Sequence, residues 1–337
     1  MPELPEIQAL AAFVERRARG RRIARVELLS FAALKTADPP PSALVGRTIA
    51  SAGRRGKFLL IETAEGAPAD AEGRGGKEDA AGGTGALWLA VHFSRAGWLR
   101  WHDAPVPGGP GASGSPARPG APAAPGSSDL RAVPAGASRP RLRGGPLALR
   151  VTLDDGAAFD LTEAGTQKRL AIHVVRSPEA VPGIARLGID PLDPAFDAAT
   201  LGRLLASRTG QVKHLLADQS LIAGVGNAYS DEALHAARLS PFRPAGNLTA
   251  EEIVRLHESL RGILDEALRR NEGVPASELK DEKRSGMRVH GRTGLPCPVC
   301  GDTIREVSFA DRSLQYCPTC QTGGRPLADR RLSRLLR

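Results

Sequence analysis

Apolar residues recur at Ile7, Leu10, Ala11 and Val14, the spacing of one helix face, so a helix is expected over residues 3–19. Arg16, Arg17 and Arg19 fall in its last turn, where cations complement the helix dipole. Short runs of strand-like composition follow at 23–29, 58–62, 87–93, 97–101, 147–153 and 158–161, each bounded by turn-forming residues. Beyond about residue 195 the apolar period lengthens, and 199–207, 211–218, 228–237 and 250–270 read as helices. The last places Ile253, Leu256, Leu260, Ile263, Leu264 and Ala267 on one face. Thr249 followed by Glu252 is a capping-box signature for its start. The pattern predicts an α+β fold, with an N-terminal helix on a β-sandwich followed by a helical region.

Two stretches break this pattern. Residues 64–86 are rich in Gly, Ala and charge. Residues 103–146 hold ten Pro and nine Gly among 44 positions, too little apolar surface to offset chain entropy, and are read as disordered. Arg118, Arg131, Arg139, Arg141 and Arg143 there read either as loose phosphate contacts or as part of a tolerated surface loop. The expected divisions are 1–180 for the sandwich, 195–275 for the helical domain, 288–322 for a cysteine module and 323–337 for a basic tail with five arginines.

Charge adds a partner class. Lys and Arg number 46 against 37 Asp and Glu, a net +9 with a pI near 9.9, which suits a polyanion. Aromatics at 4% argue against a single-strand binder built on many stacking platforms. No run of 18 apolar residues exists, and the first residues lack a signal-peptide pattern. A soluble, cytoplasmic, nucleoid-associated monomer is expected.

All four cysteines lie between 297 and 320, as Cys297-Pro-Val-Cys300 and Cys317-Pro-Thr-Cys320 separated by 16 residues. Two-residue knuckles let paired thiolates reach one ion, and four thiolates close a tetrahedral shell, so one structural Zn²⁺ in a β ribbon is expected. A pair of redox dithiols is the other reading, although nothing around them has a thioredoxin-like setting.

Three segments, in order, resemble the formamidopyrimidine-DNA glycosylase/endonuclease VIII family: Met1-Pro2-Glu3-Leu4-Pro5-Glu6, Ile222 through Pro244, and His290 through Gln321. They span nearly the whole chain. The resemblance implies that the helical region is a helix–two-turn–helix DNA-binding domain. It implies a bifunctional glycosylase and abasic-site lyase in which Pro2, freed by loss of Met1, is the nucleophile, Glu3 a general acid and Lys57 a second catalytic residue beside phosphate. Glu6, one turn from Glu3, is expected to relay protons or orient the site. Lys213, Asn227 and Arg312 are implied phosphate contacts on damaged double-stranded DNA, with single strands as a further substrate. The chemistry agrees: an α-amino group titrates near about 8, some two units below lysine, so part of it is a free nucleophile at neutral pH. Taken alone, Pro2-Glu3 also reads as an ordinary helix start, Gly56-Lys57 as a basic turn and Lys213 as part of a solvated helix face.

Two departures bear on the substrate. Arg95, in His92-Phe-Ser-Arg-Ala-Gly97, stands where the family carries a base-replacing wedge, commonly Met in the formamidopyrimidine branch; a phosphate-binding turn is the alternative. The stretch Leu161 to Leu170 lacks the Asp-Pro-Arg-Arg-Phe-Gly-like pattern of oxidised-purine enzymes, leaving Lys168 or Arg169 to supply charge. Both point to the endonuclease VIII-like branch. Residues 279–290 are expected to form a basic loop near the extruded base. The alternatives are a catalytically silent damaged-DNA-binding protein on the same scaffold, and a zinc-ribbon nucleic-acid enzyme or translation factor with a chance N-terminus.

Overall fold

The computed structural model of the chain describes residues 1–65, 85–104, 145–309 and 313–328. Most of both inserts, most of the basic tail, and Arg312 lie outside the described residues.

Helix α1 (Leu4–Ala18) buries Leu4, Ile7, Leu10, Ala11 and Val14, the predicted face. It packs against a sandwich of two antiparallel four-stranded sheets. One has the order β1 (Ile23–Leu28), β6 (Leu147–Leu153), β7 (Ala158–Glu163), β5 (Gly97–His102). The other runs β2 (Thr48–Arg55), β3 (Phe58–Ala64), β4 (Leu87–His92), β8 (Ala171–Val175). Leu59, Ile61, Leu89 and Val91 from one sheet meet Leu149, Val151, Phe159 and Leu161 from the other in a shared core that also takes Ile7, Leu10 and Val14. Such apolar burial is the main stabilising term.

Strands β2 and β8 are absent from the pattern-based expectation. In β2, Ile49 alone is buried among small and polar residues. Its strand state comes from pairing along β3, from Thr48 opposite Ala64 to Arg55 opposite Phe58. In β8 the run Ala171-Ile-His-Val-Val175 is five residues long and is fixed by pairing with β4.

The two long connections share one geometry. β3 runs away from Lys57, and the chain departs at Glu65 to return at Gly85 before β4; β5 runs away from the Arg95 turn, departs at Ala104 and returns at Gly145 before β6. Both therefore open at the strand ends opposite those turns.

The helical half comprises α2 (Pro182–Ala185), α3 (Ala198–Ala206), α4 (Val212–Leu216), α5 (Asn227–Ala236) and α6 (Ala250–Asn271). Its core is built from Leu201, Leu216, Tyr229, Leu234, Leu256, Leu260 and Leu264. The Thr249–Glu252 capping box forms reciprocally, at 3.0 and 3.2 Å. Arg54 of β2 fastens the halves together: its guanidinium is almost fully buried and meets Asp190 at 2.5 and 3.2 Å and Gln8 at 2.8 Å.

Residues 279–290 correct an expectation. They begin with a helix, α7 (Leu279–Ser285), and not a loop. Leu279 joins the sandwich core. The last elements among the described residues are β9 (Arg305–Ser308), β10 (Ser313–Tyr316) and α8 (Pro318–Thr322). Among the described residues no helix is long and apolar enough to cross a membrane.

Candidate active site

The loop Gly224-Val-Gly226 ends where α5 begins, and the chain's first residues are seated on it. Leu4 N–H donates to the Gly224 carbonyl at 3.1 Å. Gly224 has φ +90°, and a Cβ there would lie 2.8 Å from Leu4 Cβ. The Glu3 carboxylate sits on the α5 N-terminus, accepting from the amides of Gly226 at 2.7 Å, Ala228 at 3.0 Å and Tyr229 at 3.4 Å. These are donors that a helix leaves unpaired, and its dipole favours a negative charge there. Glu3 is 2% exposed. Burial pushes its pKa up, but Lys283, Lys57 and the Ala228 amide outweigh this and bring it down to about 2. Glu3 is thus a carboxylate in this state.

Lys57 reaches the same place from the other half. It follows Gly56, at φ +52°, in the two-residue turn between β2 and β3. Its ammonium is buried, which lowers its pKa against the pull of Glu3. A Cβ placed on Gly226 would lie 2.6 Å from Glu3 Cδ and 2.7 Å from Lys57 Nζ, so all three groups crowd one point.

Glu6 is saturated. One oxygen accepts from the Glu3 amide at 2.8 Å and from Lys283 Nζ at 2.7 Å; the other accepts from the Tyr229 hydroxyl at 2.5 Å. These contacts join the Glu3 amide, Tyr229 and Lys283 through one side chain. Pro2 is buried beside Glu3 while Met1 is about half exposed. Lys283 and Tyr229 were not found from sequence. Tyr229 sits inside a motif already singled out, whereas Lys283 was assigned to a loop.

Outside this centre the remaining candidates separate. Arg95 is exposed in the turn between β4 and β5, after Ser94 at φ +53°. The 164–169 loop lies alongside, with Ala164 N–H donating to the Ala96 carbonyl at 3.0 Å. Lys168 is turned onto its own loop, donating to the Glu163 and Gly165 carbonyls at 3.0 and 2.9 Å. The side chain of Arg169, in the same loop, is exposed. The Asn227 amide donates to the Ser313 carbonyl at 2.7 Å, tying α5 to the ribbon.

Lys213 does not face solvent. It is 4% exposed and donates to Asp231 at 2.6 Å, Ser230 at 3.0 Å and the Asn227 carbonyl at 3.2 Å. A solvated phosphate contact does not fit this position; the α5 residues take up its ammonium. Lys213→Met is therefore expected to destabilise the fold by about 3–5 kcal/mol, because Asp231 stays buried without its principal cation. Urea unfolding checks this; unchanged stability with weaker DNA binding would restore the phosphate reading.

A cleft of about 490 Å³ opens beside Lys57 and is lined by His92, His173, Arg186 and Gln219. Burial, then the nearby Lys57 and His173, lower the His92 pKa to about 4. Lys57 and Arg186 are the cationic side chains of this lining and suit a phosphodiester backbone.

The four cysteine sulfurs lie within 4.8 Å of one another. A tetrahedron of Zn–S bonds of about 2.3 Å has edges near about 3.8 Å, so the thiolates fit one structural zinc with no open position. Glu232 of α5 accepts from the Arg288, Val289 and His290 amides at 2.8, 2.9 and 2.8 Å, fastening the chain just ahead of the ribbon. Chelation is expected to release one zinc per chain and loosen 290–322 while the sandwich stays folded, read by metal analysis and hydrogen exchange. Retention of ribbon protection after zinc loss would contradict this.

Known proteins share this domain organisation. Residues 1–123 match the formamidopyrimidine-DNA glycosylase N-terminal domain, 187–277 the formamidopyrimidine-DNA glycosylase H2TH domain, and 294–323 a zinc finger found in FPG and IleRS. An uncharacterised formamidopyrimidine-DNA glycosylase-like protein of Mycobacterium tuberculosis is 61% identical over 151 residues, covering 45% of this chain and 94% of that one. The formamidopyrimidine-DNA glycosylase of Symbiobacterium thermophilum is 34% identical over 331 residues, covering 95% and 89%. The crystal structure of MutM (Fpg) from Thermus thermophilus superposes with a TM-score of 0.68 at 28% identity, covering 96% of this chain and all of that one. With the N-terminal domain, the H2TH domain and the zinc finger matched in order along the chain, this protein belongs to the formamidopyrimidine-DNA glycosylase family of DNA-repair enzymes.

Proposed function

We propose that the protein excises oxidised bases from DNA through a Schiff base on Pro2 and then cleaves the strand by β,δ-elimination. The observation that carries this is the seat of Glu3: a buried carboxylate on the α5 N-terminus, next to Lys57 and bonded in sequence to Pro2. Once Met1 is removed, the Pro2 nitrogen attacks the deoxyribose C1′ and the C1′–base bond breaks, the base leaving with the bonding pair and taking a proton from water. Glu3, ionised beforehand, takes the proton from Pro2 and delivers it to the ring oxygen as the C1′–O4′ bond opens. The resulting iminium acidifies C2′–H; its loss expels the 3′ phosphate, and a second elimination expels the 5′ phosphate. Water then hydrolyses the iminium. Lys57, buried yet opening on the basic cleft, holds the phosphate beside the lesion.

The substrate reading follows the exposed loops. Arg95 and Arg169, on neighbouring turns, supply cationic groups to fill the space left by an extruded base. This favours the endonuclease VIII-like range: oxidised pyrimidines and abasic sites, in duplex and single strands. The test is borohydride trapping on oligonucleotides holding an abasic site, thymine glycol, dihydrouracil or 8-oxoguanine, with the adduct located by peptide mass spectrometry. An adduct on Pro2 with the pyrimidine lesions is the expected result. Absence of any adduct, including on abasic DNA, would leave a damaged-DNA-binding protein.

A further inference from the structure

Lys283 enters the catalytic centre from α7, a helix that no step above uses. Its side chain is only 14% exposed. It lies 2.7 Å from Glu6 and 3.9 Å from Glu3, sits 4.7 Å above the Tyr229 ring, and donates to the Met1 carbonyl at 3.3 Å. That carbonyl is bonded through one carbon to the Pro2 nitrogen. Standard bond lengths therefore place the two nitrogens within about 6 Å of each other.

We propose that Lys283 is a positioning residue of the catalytic centre: a fixed cation that holds Glu6 on the Glu3 amide and, facing the amine of residue 2, keeps that amine unprotonated and nucleophilic. The inference rests on the Pro2 reading above. When Met1 departs, the bond from Lys283 to its carbonyl goes with it, and the ammonium faces the new Pro2 amine directly. A like charge at that distance disfavours a second protonation.

The surrounding groups do not cancel this. From α1, Glu3 and Glu6 pull the other way, but Glu3 is engaged by three α5 amides and Glu6 by Tyr229, the Glu3 amide and Lys283 itself. Lys57 from the β2–β3 turn and Lys280 from α7 add positive charge, as does any proton on His290 beside Glu3. Glu232 of α5 is committed to the 288–290 amides. At the unprocessed N-terminus the same balance holds: burial first, then Lys283, lower the Met1 amine pKa. Glu6 and Glu3 keep the Lys283 pKa raised against burial, so the residue stays charged while it acts.

The test is the pH profile of single-turnover borohydride trapping on abasic DNA, for the Met1-processed wild type, Lys283→Met and Lys283→Arg. Removing the cation raises the amine's pKa, so less free amine is present at any pH below it. The Lys283→Met midpoint is expected to move up by about one pH unit, with a roughly tenfold slower rate on the acidic limb. Lys283→Arg is expected to restore the wild-type midpoint. Because Lys283→Met leaves Glu6 buried without its cation, the double variant Glu6→Gln/Lys283→Met is measured beside it; its midpoint should fall between those of wild type and Lys283→Met. A wild-type chain that traps on Pro2 while Lys283→Met keeps its midpoint, losing only amplitude, would overturn the Lys283 assignment alone. A wild type that never traps would remove the Schiff-base reading and this one together.

Discussion

A chain with one extra residue in peptide linkage ahead of Pro2, as in an uncleaved N-terminal tag, is expected to lose covalent trapping on abasic DNA by at least about a thousandfold. The reason is electronic. In peptide linkage the proline nitrogen shares its lone pair with a carbonyl and carries no hydrogen. It can neither attack a sugar carbon nor form an iminium. The fold has no stake in the change, since the chain with Met1 in place already buries Pro2 and leaves Met1 about half exposed. Melting temperature and abasic-DNA affinity should therefore stay close to those of the processed protein. Trapping assays and thermal unfolding on matched preparations check this, and an adduct formed by the extended chain would exclude Pro2 as the nucleophile.

The second large effect is expected at Gly226. Its φ of −134° is accessible to any residue, so alanine there brings no backbone strain. The added methyl instead lands 2.6 Å from Glu3 Cδ and 2.7 Å from Lys57 Nζ. Both side chains must move, and an ångström of displacement costs on the order of a hundredfold in rate. Gly226→Ala should therefore lower single-turnover excision by about a hundredfold or more. Gly224→Ala, two residues earlier, is the contrasting case. It meets both a φ of +90° and the Leu4 Cβ at 2.8 Å, so its main expected loss is in folding stability, about 2 kcal/mol or more. Activity and melting curves for the two variants separate the roles; a Gly226→Ala protein with full activity would mean that Glu3 and Lys57 do not work from the positions described.

These contacts also explain which parts of the structure were legible in the sequence. Helices α1 and α6 declare themselves because each buries a single periodic face and α6 carries its own cap. The cysteine spacing specifies the ribbon because metal geometry leaves little freedom. Strand β2 is hidden because its partner, not its composition, makes it a strand. Helix α7 is hidden because it has one buried residue, Leu279, among charged ones. Its signal was nonetheless present: Asp281 and Glu282 in the first turn, Lys283 and Arg284 in the last, and Gly286 just after. Missing the helix meant missing Lys283, whose partners Glu6 and Glu3 lie some 280 residues away along the chain. Lys213 illustrates the opposite failure. A lysine beside a DNA-contact motif suggests phosphate, yet only the packed α5 reveals that Asp231 claims it.

The placement of the two long connections has an evolutionary reading. Both leave the sandwich at the ends of β3 and β5 remote from Lys57 and Arg95. The tight turns at Lys57 and Arg95 leave little room even for a larger side chain: a Cβ on Gly56 would meet Leu187, and one on Gly97 the Phe93 carbonyl. Insertions at the far ends are buffered by full ladders of strand pairing, from Phe58 opposite His92 to Thr63 opposite Leu87 in one sheet and along β5–β7 in the other. A lineage can therefore lengthen, shorten or recode these segments, or an experimenter can graft a reporter into them, while the reacting groups stay in place.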